Sequence, residues 1–319
     1  MHLSAIPFSD YARDVLPLTE TLWAGHRDFP TYVAQTADIA TSPYGKKFYQ
    51  TIGLFEGTQL LASCKRYERT LHLGATPLAA IGIGAVFTPE AHRGSGYATA
   101  MLAMILDQGR ALGAGAAYLF SDIHPAFYAQ LGFRECPSRG ISVRADSLTA
   151  ARVRVDTIEA SDWTGIKRCF EIGEKERPWG FSRSAYAWSW IRMRLQHGSE
   201  RATGQSVHLV IRKGKRVIAY VLGERDIRHD ALVVDEFGFG DLEGRGRIPA
   251  LLRSAAGDLR RIVGWLPPHN ARELLPRGSV RKRKDAILMI APLNAVGKQL
   301  VNLASAPSSA DGVWSTDHI

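Results

Sequence analysis

The sequence predicts an α/β protein built as two domains in tandem, and three observations lead there. The chain has 319 residues, enough for about two domains. Hydrophobic residues make up 45% and charged residues 22%, a balance that fills a core and excludes disordered, collagen-like and coiled-coil chains. One order of elements (hairpin, buried strand, glycine-rich turn, helix) occurs twice. The join falls near residues 146–151. That gives a first domain over 1–148, a second over 149–293 and a Ser/Ala/Asp-rich tail over 294–319.

In the first half a helical stretch runs from about Tyr11 to His26, followed by a polar region to about Lys47. Strand-like runs Ile52–Phe55 and Leu60–Tyr67 flank Glu56-Gly57-Thr58-Gln59, a hairpin signal. Ala79–Phe87 is continuously apolar, as a strand buried on both faces would be. Beyond the loop Thr88–Gly96, Tyr97–Leu112 reads as a helix, because Met101, Leu102, Ile105 and Leu106 recur at helical spacing. Ala116–Ser121 is the next strand, and Pro125–Leu131 a short helix ending at Gly132. In the second half, Arg152–Ile158 reads as a strand and Asp162–Ile172 as a helix that Ser161 or Asp162 could cap. A hairpin over Val207–Arg212 and Val217–Leu222 follows, then the buried strand Ala231–Phe239. A turn over Glu243–Gly246, a helix over Ile248–Ile262 and a late strand, Asp285–Pro292, complete it.

Composition narrows the function. Cys64, Cys136 and Cys169 lie far apart with no C-x-x-C pair, against a disulfide framework or a cysteine-rich zinc site. No two histidines have H-x-x-x-H spacing on a helix, so no metal is expected. No run approaches the ~18 apolar residues of a membrane helix, and the start MHLSAIPFSDYARD does not read as a signal peptide. A cytoplasmic protein with no membrane partner is the expectation. The net charge of +9 favours an anionic ligand. The basic run Arg281–Lys284 has no interleaved aromatics, so it reads as a solvated face and nucleic acid is not the expected partner.

The sharpest local signal is Arg93-Gly94-Ser95-Gly96-Tyr97-Ala98, between a buried strand and a helix start. Glycines admit a ligand close to the backbone, and a helix start offers unpaired N–H groups with a partial positive charge, a setting suited to a pyrophosphate. Arg93 adds a charge-assisted contact. A Walker loop needs a Lys after its glycines and has none here. A dinucleotide fingerprint needs a third Gly where Thr99 stands. A plain strand–helix turn is the simplest alternative for the loop taken alone.

About thirty residues on comes Phe127-Tyr128-Ala129-Gln130-Leu131-Gly132-Phe133. R-x-x-G-x-G/A, matched at Arg93, Gly96 and Ala98, followed by F-Y-x-x-L-G-F, resembles the GNAT superfamily of acetyl-CoA-dependent N-acyltransferases. A narrower resemblance, to fungal-type acetyltransferases of the lysine ε-amine, rests on Ala62–Arg69, Val86-Phe87-Thr88-Pro89, His92-Arg93-Gly94 and Ser121-Asp122-Ile123. His124 stands where that pattern has Gly. The resemblance implies two GNAT-like domains, each a mixed, mostly antiparallel sheet flanked by helices. The second domain, where Glu243 falls near the place of Arg93, looks degenerate, as in duplicated acetyltransferases of the mycobacterial Eis type.

It also implies a site. Acetyl-CoA would lie along Val86, Phe87, Thr88, Arg93, Gly94, Ser95, Gly96, Tyr97, Ala98 and Thr99, with the strand splaying at Ala85–Phe87 to lend an N–H to the thioester carbonyl. Tyr128 is the implied general acid, with a core aromatic as the alternative. The strand Ala79–Phe87 carries no acid, so the base falls to Asp122, His124, a water, or the end segment Trp314–Ile319. Trp179, Tyr186, Trp188 and Trp190 read as an interdomain core stripe or as a wall for a cationic acceptor, with Glu56, Asp235 and Glu236 as acids able to hold it. The expected reaction is acetylation of a primary amine on a small molecule, a lysine-like ε-amine first. An aminoglycoside-type resistance acetyltransferase and a non-catalytic acetyl-CoA sensor are the alternatives.

Overall fold

The computed structural model describes residues 1–148, 153–197, 203–307, 309 and 312–319. It opens with β1 (His2–Ala5) and the helices α1 (Phe8–Asp14), α2 (Leu16–Trp23), α3 (Phe29–Thr41) and α4 (Gly45–Phe48). An antiparallel run follows, β2 (Tyr49–Glu56), β3 (Gln59–Leu73) and β4 (Thr76–Phe87). Then come α5 (Tyr97–Ala111), β5 (Ala116–Ser121), α6 (Ala126–Ala129), β6 (Arg134–Glu135) and β7 (Arg139–Arg144). The second half contains β8 (Asp156–Thr157), α7 (Trp163–Lys175), β9 (Trp179–Ser182), α8 (Ala185–Gln196), β10 (Gly204–Lys213), β11 (Arg216–Asp226) and β12 (Ala231–Phe239). The last elements are α9 (Leu242–Ala256), β13 (Arg261–Trp265), α10 (His269–Arg272), β14 (Ser279–Lys282), β15 (Ile287–Pro292) and α11 (Ala295–Ala304).

These form two mixed, mostly antiparallel sheets flanked by helices. The first runs β1-β2-β3-β4-β5-β15-β6, with β9 added on β3; the second runs β14-β7-β13-β12-β11-β10-β8. The boundary expected at 148/149 does not separate the sheets, because each takes a strand from the other half. β7 pairs with β13 and β14, while β15 lies between β5 and β6. The reason is burial: Leu288, Met289 and Ile290 are each 1% exposed, and so apolar a strand needs neighbours on both edges.

Three further expectations change. Residues 294–319 are more than a tail, since Asn294 caps α11 through Gly297 N–H, and Leu300, Val301 and Ala304 pack into the core. The glycines at 244 and 246 lie inside α9, which ends at Ala256, so Arg261 and Ile262 belong to a strand and not to that helix. Of Arg152–Ile158, only Asp156–Thr157 pairs as strand, and Arg152 lies outside the described residues.

Trp188 and Trp190 are each 1% exposed and belong to the shared core, as a stripe between the halves would. Trp190 stacks on Tyr44 from the first half, whereas Tyr186 is exposed against Phe48. No helix among the described residues is long and apolar enough to cross a membrane.

Candidate active site

β4 enters the site as a regular strand and leaves it bent. Lys65 pairs with Gly84 and Ser63 with Phe87, so Ala85 and Val86 of β4 face the single residue Cys64 of β3, a β-bulge. Ala85 there has φ 47°, in the left-handed region that a residue with a side chain rarely occupies. On its other edge β4 pairs in parallel with β5 only as far as Ile83 and Leu119. Beyond that point the two strands part, and the backbone over residues 84–87 faces a wedge between them.

The loop after β4 folds back to the start of α5. Gly94 and Gly96 have φ of 81° and 78°, and nothing lies within 4 Å of where their side chains would be. Gly96 caps α5 without any side-chain hydrogen bond, leaving the first N–H groups of a 15-residue helix exposed to a ligand. Arg93 is exposed and braces the loop through Nε to the Thr88 carbonyl, 3.3 Å, while Thr88 and Tyr97 to Thr99 are half-buried along it. Open space, glycine backbone and an uncapped helix dipole fit a pyrophosphate.

Tyr128, on α6, is 8% exposed and packs edge-on to Phe127 and Phe133, on the same side of the sheet as α5. Burial, then Asp122 and Cys64, push its phenol up to about 12, which keeps it a proton donor at neutral pH. The other two sequence candidates are exposed and bonded to backbone. Asp122 accepts from Ala286 N–H at 2.8 Å, bracing the start of β15, and His124 Nδ1 accepts from Ala126 N–H at 3.2 Å, at the start of α6.

Residues 17–136 match the family model described as an acetyltransferase (GNAT) domain. They form a GNAT acetyltransferase domain. Its chemistry is acyl transfer from acyl-CoA. Solved structures agree on the fold. A probable N-acyltransferase from Enterococcus faecalis aligns over 92% of this chain and 72% of its own, with a TM-score of 0.73 and 13% identity. A GCN5-related N-acetyltransferase from Anabaena variabilis aligns over 92% and 73%, with 0.72 and 13%. A tandem GNAT protein from the clavulanic acid biosynthesis pathway aligns over 92% and 99%, with 0.56 and 11%. No curated protein matches the sequence.

The face of the GNAT sheet away from α5 holds residues that the motifs did not point to. The segment from Val313 to Ile319 threads between the two halves, and a side chain on Gly82 would strike Ile319 and Tyr118. Asp317 is clamped by Arg69 at 2.9 Å and by Arg183, whose guanidinium also bonds Glu236 through two donors. All four of these side chains are at most 1% exposed. His318 lies edge-on to Phe120, near the end of β5, at 5.0 Å, and to Trp265 at 5.9 Å. The acids proposed to hold a cationic acceptor are engaged or remote. Glu236 is committed to Arg183, Asp235 bonds Ser315, and Glu56 is exposed at the β2–β3 turn. A signal for this face was present in β3, where Ser63, Lys65, Tyr67 and Arg69 alternate with Ala62, Cys64 and Arg66.

Proposed function

We propose that the protein transfers the acetyl group of acetyl-CoA to a primary amine of a small molecule, with the first sheet as the catalytic half and the second as a degenerate copy. The observation that carries this reading is the pairing of the β4 bulge with the uncapped glycine start of α5. One offers backbone N–H groups to a carbonyl, the other to phosphates. Val86, Phe87 and Thr88 would line the thioester arm, and Arg93 to Thr99 the pyrophosphate. When bound, acetyl-CoA supplies a thioester carbon open to attack by a neutral amine. Backbone N–H groups at 85–87 then stabilise the oxygen as it gains charge. Tyr128, held protonated, gives its proton to the departing sulfur.

Asp122 and His124 serve the backbone, so the base is better sought in the terminal segment. His318 is the group we assign there, because its ring stands against Phe120 where β4 and β5 part. It would take the proton that the amine releases.

The reading is tested by acetyl-CoA-dependent release of free thiol across lysine, ornithine, polyamines, a lysine-containing peptide and an aminoglycoside, with longer acyl thioesters in parallel. Acceptor-dependent release with a clear preference for the acetyl thioester is expected. Tyr128→Phe should lower turnover by about 10²–10⁴-fold while acetyl-CoA affinity holds. A loss below about tenfold would remove the acid role, and tight binding with no transfer to any amine would favour a sensor. His318→Gln should lower turnover by about 10²-fold. If removing residues 311–319 left turnover intact in a folded protein, the terminal segment would hold no base.

A further inference from the structure

One edge of β3 is broken. β2 pairs with it as far as Tyr49 and Tyr67, and β9 takes it up again at Thr70 and Ser182, so Glu68 and Arg69 have no strand beside them on that edge. Tyr44 Oη fills part of the break by donating to the Glu68 carbonyl at 2.9 Å. A cavity of about 460 Å³ opens there, with Glu68 and Ser184 exposed at its mouth. Because the sheet is interrupted, β3 lines the cavity from both of its faces, Arg66 from the α5 side and Arg69 from the other. Leu112 and Ala114, just past α5, line it too. It therefore stands at the opposite end of that helix from the Gly94–Gly96 loop, about 22 Å away by helix length.

Both arginines are at least nine-tenths buried, with Arg66 9% and Arg69 5% exposed, and neither is fully paired. Arg66 Nε and Arg69 Nε and Nη1 are buried without a hydrogen-bond partner among the described residues. Each guanidinium has one carboxylate. Arg66 Nη2 reaches Glu68, an exposed side chain, at 3.3 Å, and Arg69 Nη2 holds Asp317 at 2.9 Å, an acid that also serves Arg183. Buried donors left unpaired are costly, so the cavity invites a group that accepts from them. A second observation is independent of the arginines. Ser184 caps α8, its Oγ accepting from Ala187 N–H at 3.2 Å, and both residues line the cavity. A 12-residue helix thus turns the positive end of its dipole on the same space. Lys47 adds a further charge at the rim, its ammonium 5.2 Å from the ring of Phe48, which also lines the cavity.

We propose that this cavity binds a small oxyanion, a carboxylate or a phosphate, with the unpaired N–H groups of Arg66 and Arg69 as its donors and the start of α8 facing it. A planar guanidinium presents donors that match the oxygens of either group. Arg69 also ties the cavity to the terminal segment, since its Nη2 holds Asp317, the neighbour of His318. The proposal stands apart from the acyl-transfer reading, because no residue of the cavity belongs to the bulge or to the glycine loop.

Calorimetry with inorganic phosphate and with succinate, on wild type saturated with CoA, tests it. CoA fills the glycine loop, so the heat of anion binding then reports another site. Saturable binding of one equivalent of either anion is expected, and the tighter of the two names the group. Arg66→Gln should weaken it by about 10- to 100-fold, as loss of a charge-assisted contact does. Ser184→Asp keeps the α8 cap but puts a carboxylate at the mouth, and should weaken binding by a similar factor. Ser184→Asn, a neutral cap, should lose less. The Ser184 pair keeps the test open if Arg66→Gln does not fold. A ligand of the native state should also raise the thermal midpoint of wild type and not that of Ser184→Asp. No saturable binding by wild type, as when ordered water alone satisfies the arginines, overturns the proposal. So does binding that Arg66→Gln and Ser184→Asp both keep at wild-type affinity. If CoA itself does not bind, the acyl-transfer reading fails, and the same variants decide the anion site on the free protein.

Discussion

β4 and β12 each pair in parallel with one neighbour, each carries one extra residue against the preceding strand, and each leads to a helix of 15 residues. In the first half the extra residue lies in the Ala85–Val86 bend, and nine residues, 88–96, separate the strand from α5. In the second half the extra residue is Asp235, and only residues 240 and 241 separate β12 from α9. The short connection leaves no room for a phosphate loop. Asp241 then fills the helix start itself, its Oδ1 accepting from Gly244 N–H at 2.8 Å, and it brings a negative charge to the spot where an anion would bind. The second bulge is likewise plugged: Glu236, the next residue, holds Arg183, Tyr220 and Thr316. One architecture therefore gives a ligand site where the helix start and the bulge stay open, and a packed interface where Asp241 caps the helix and the terminal segment covers the bulge, Ser315 Oγ donating to the Asp235 carbonyl.

If the plug at β12 is what fixes the terminal segment against the GNAT sheet, breaking it should have the largest effect on stability. Asp317→Asn leaves the buried Arg69 without a charged partner and Arg183 with Glu236 alone, and should cost about 3–5 kcal/mol, read by denaturant unfolding. Burial raises the Asp317 carboxyl, but Arg183 and Arg69 outweigh it and hold it below its ordinary value. The native state thus binds this proton less readily than the unfolded chain. Its stabilisation is complete above the unfolded value of about 4 and is lost as pH falls through the lowered native one. Wild type should therefore lose stability in acid more steeply than Asp317→Asn, and parallel pH curves would show that the carboxylate does not anchor the segment.

The open site can be closed by copying the closed one. Gly96→Asp puts an acidic cap on α5, as Asp241 does on α9, and acyl-CoA affinity should fall by about 10- to 100-fold. Gly96→Asn is the control, since Asn tolerates this left-handed backbone and caps without charge. It fills the same open space and caps the same N–H groups without a charge, so its loss of affinity should be smaller than that of Gly96→Asp. Equal losses in both would mean that the loop's shape and not its field selects the ligand.

How much of this was legible in the sequence follows from how local each signal is. The apolar strand, the glycines at 94 and 96 and the Phe127–Phe133 motif are contiguous, and they led to β4, α5 and α6 with the loop between them. The exchange of β7 and β15 was not legible, because Ile287–Pro292 is an apolar run that suits any central strand and carries nothing that names its partner. α11 was legible and missed: Asn294 is a cap, and Val296, Leu300, Val301 and Ala304 keep helical spacing, but the Ser/Ala composition that follows hid it.

The smallest effect is the converse substitution. Asp241→Ala takes away the α9 cap, its bond to Gly244 N–H and its 2.7 Å ion pair with Arg216. The cap is worth about 0.5–2 kcal/mol, and the ion pair, half-exposed at Arg216, adds little. Stability should fall by that amount while acyl-CoA binding and turnover stay at wild-type values. The helix start so freed still meets a strand two residues away, with the β12 bulge filled by Glu236. A second equivalent of acyl-CoA bound by Asp241→Ala in calorimetry would show that the acidic cap alone silenced this half. One equivalent would show that the short connection and the plugged bulge suffice without it.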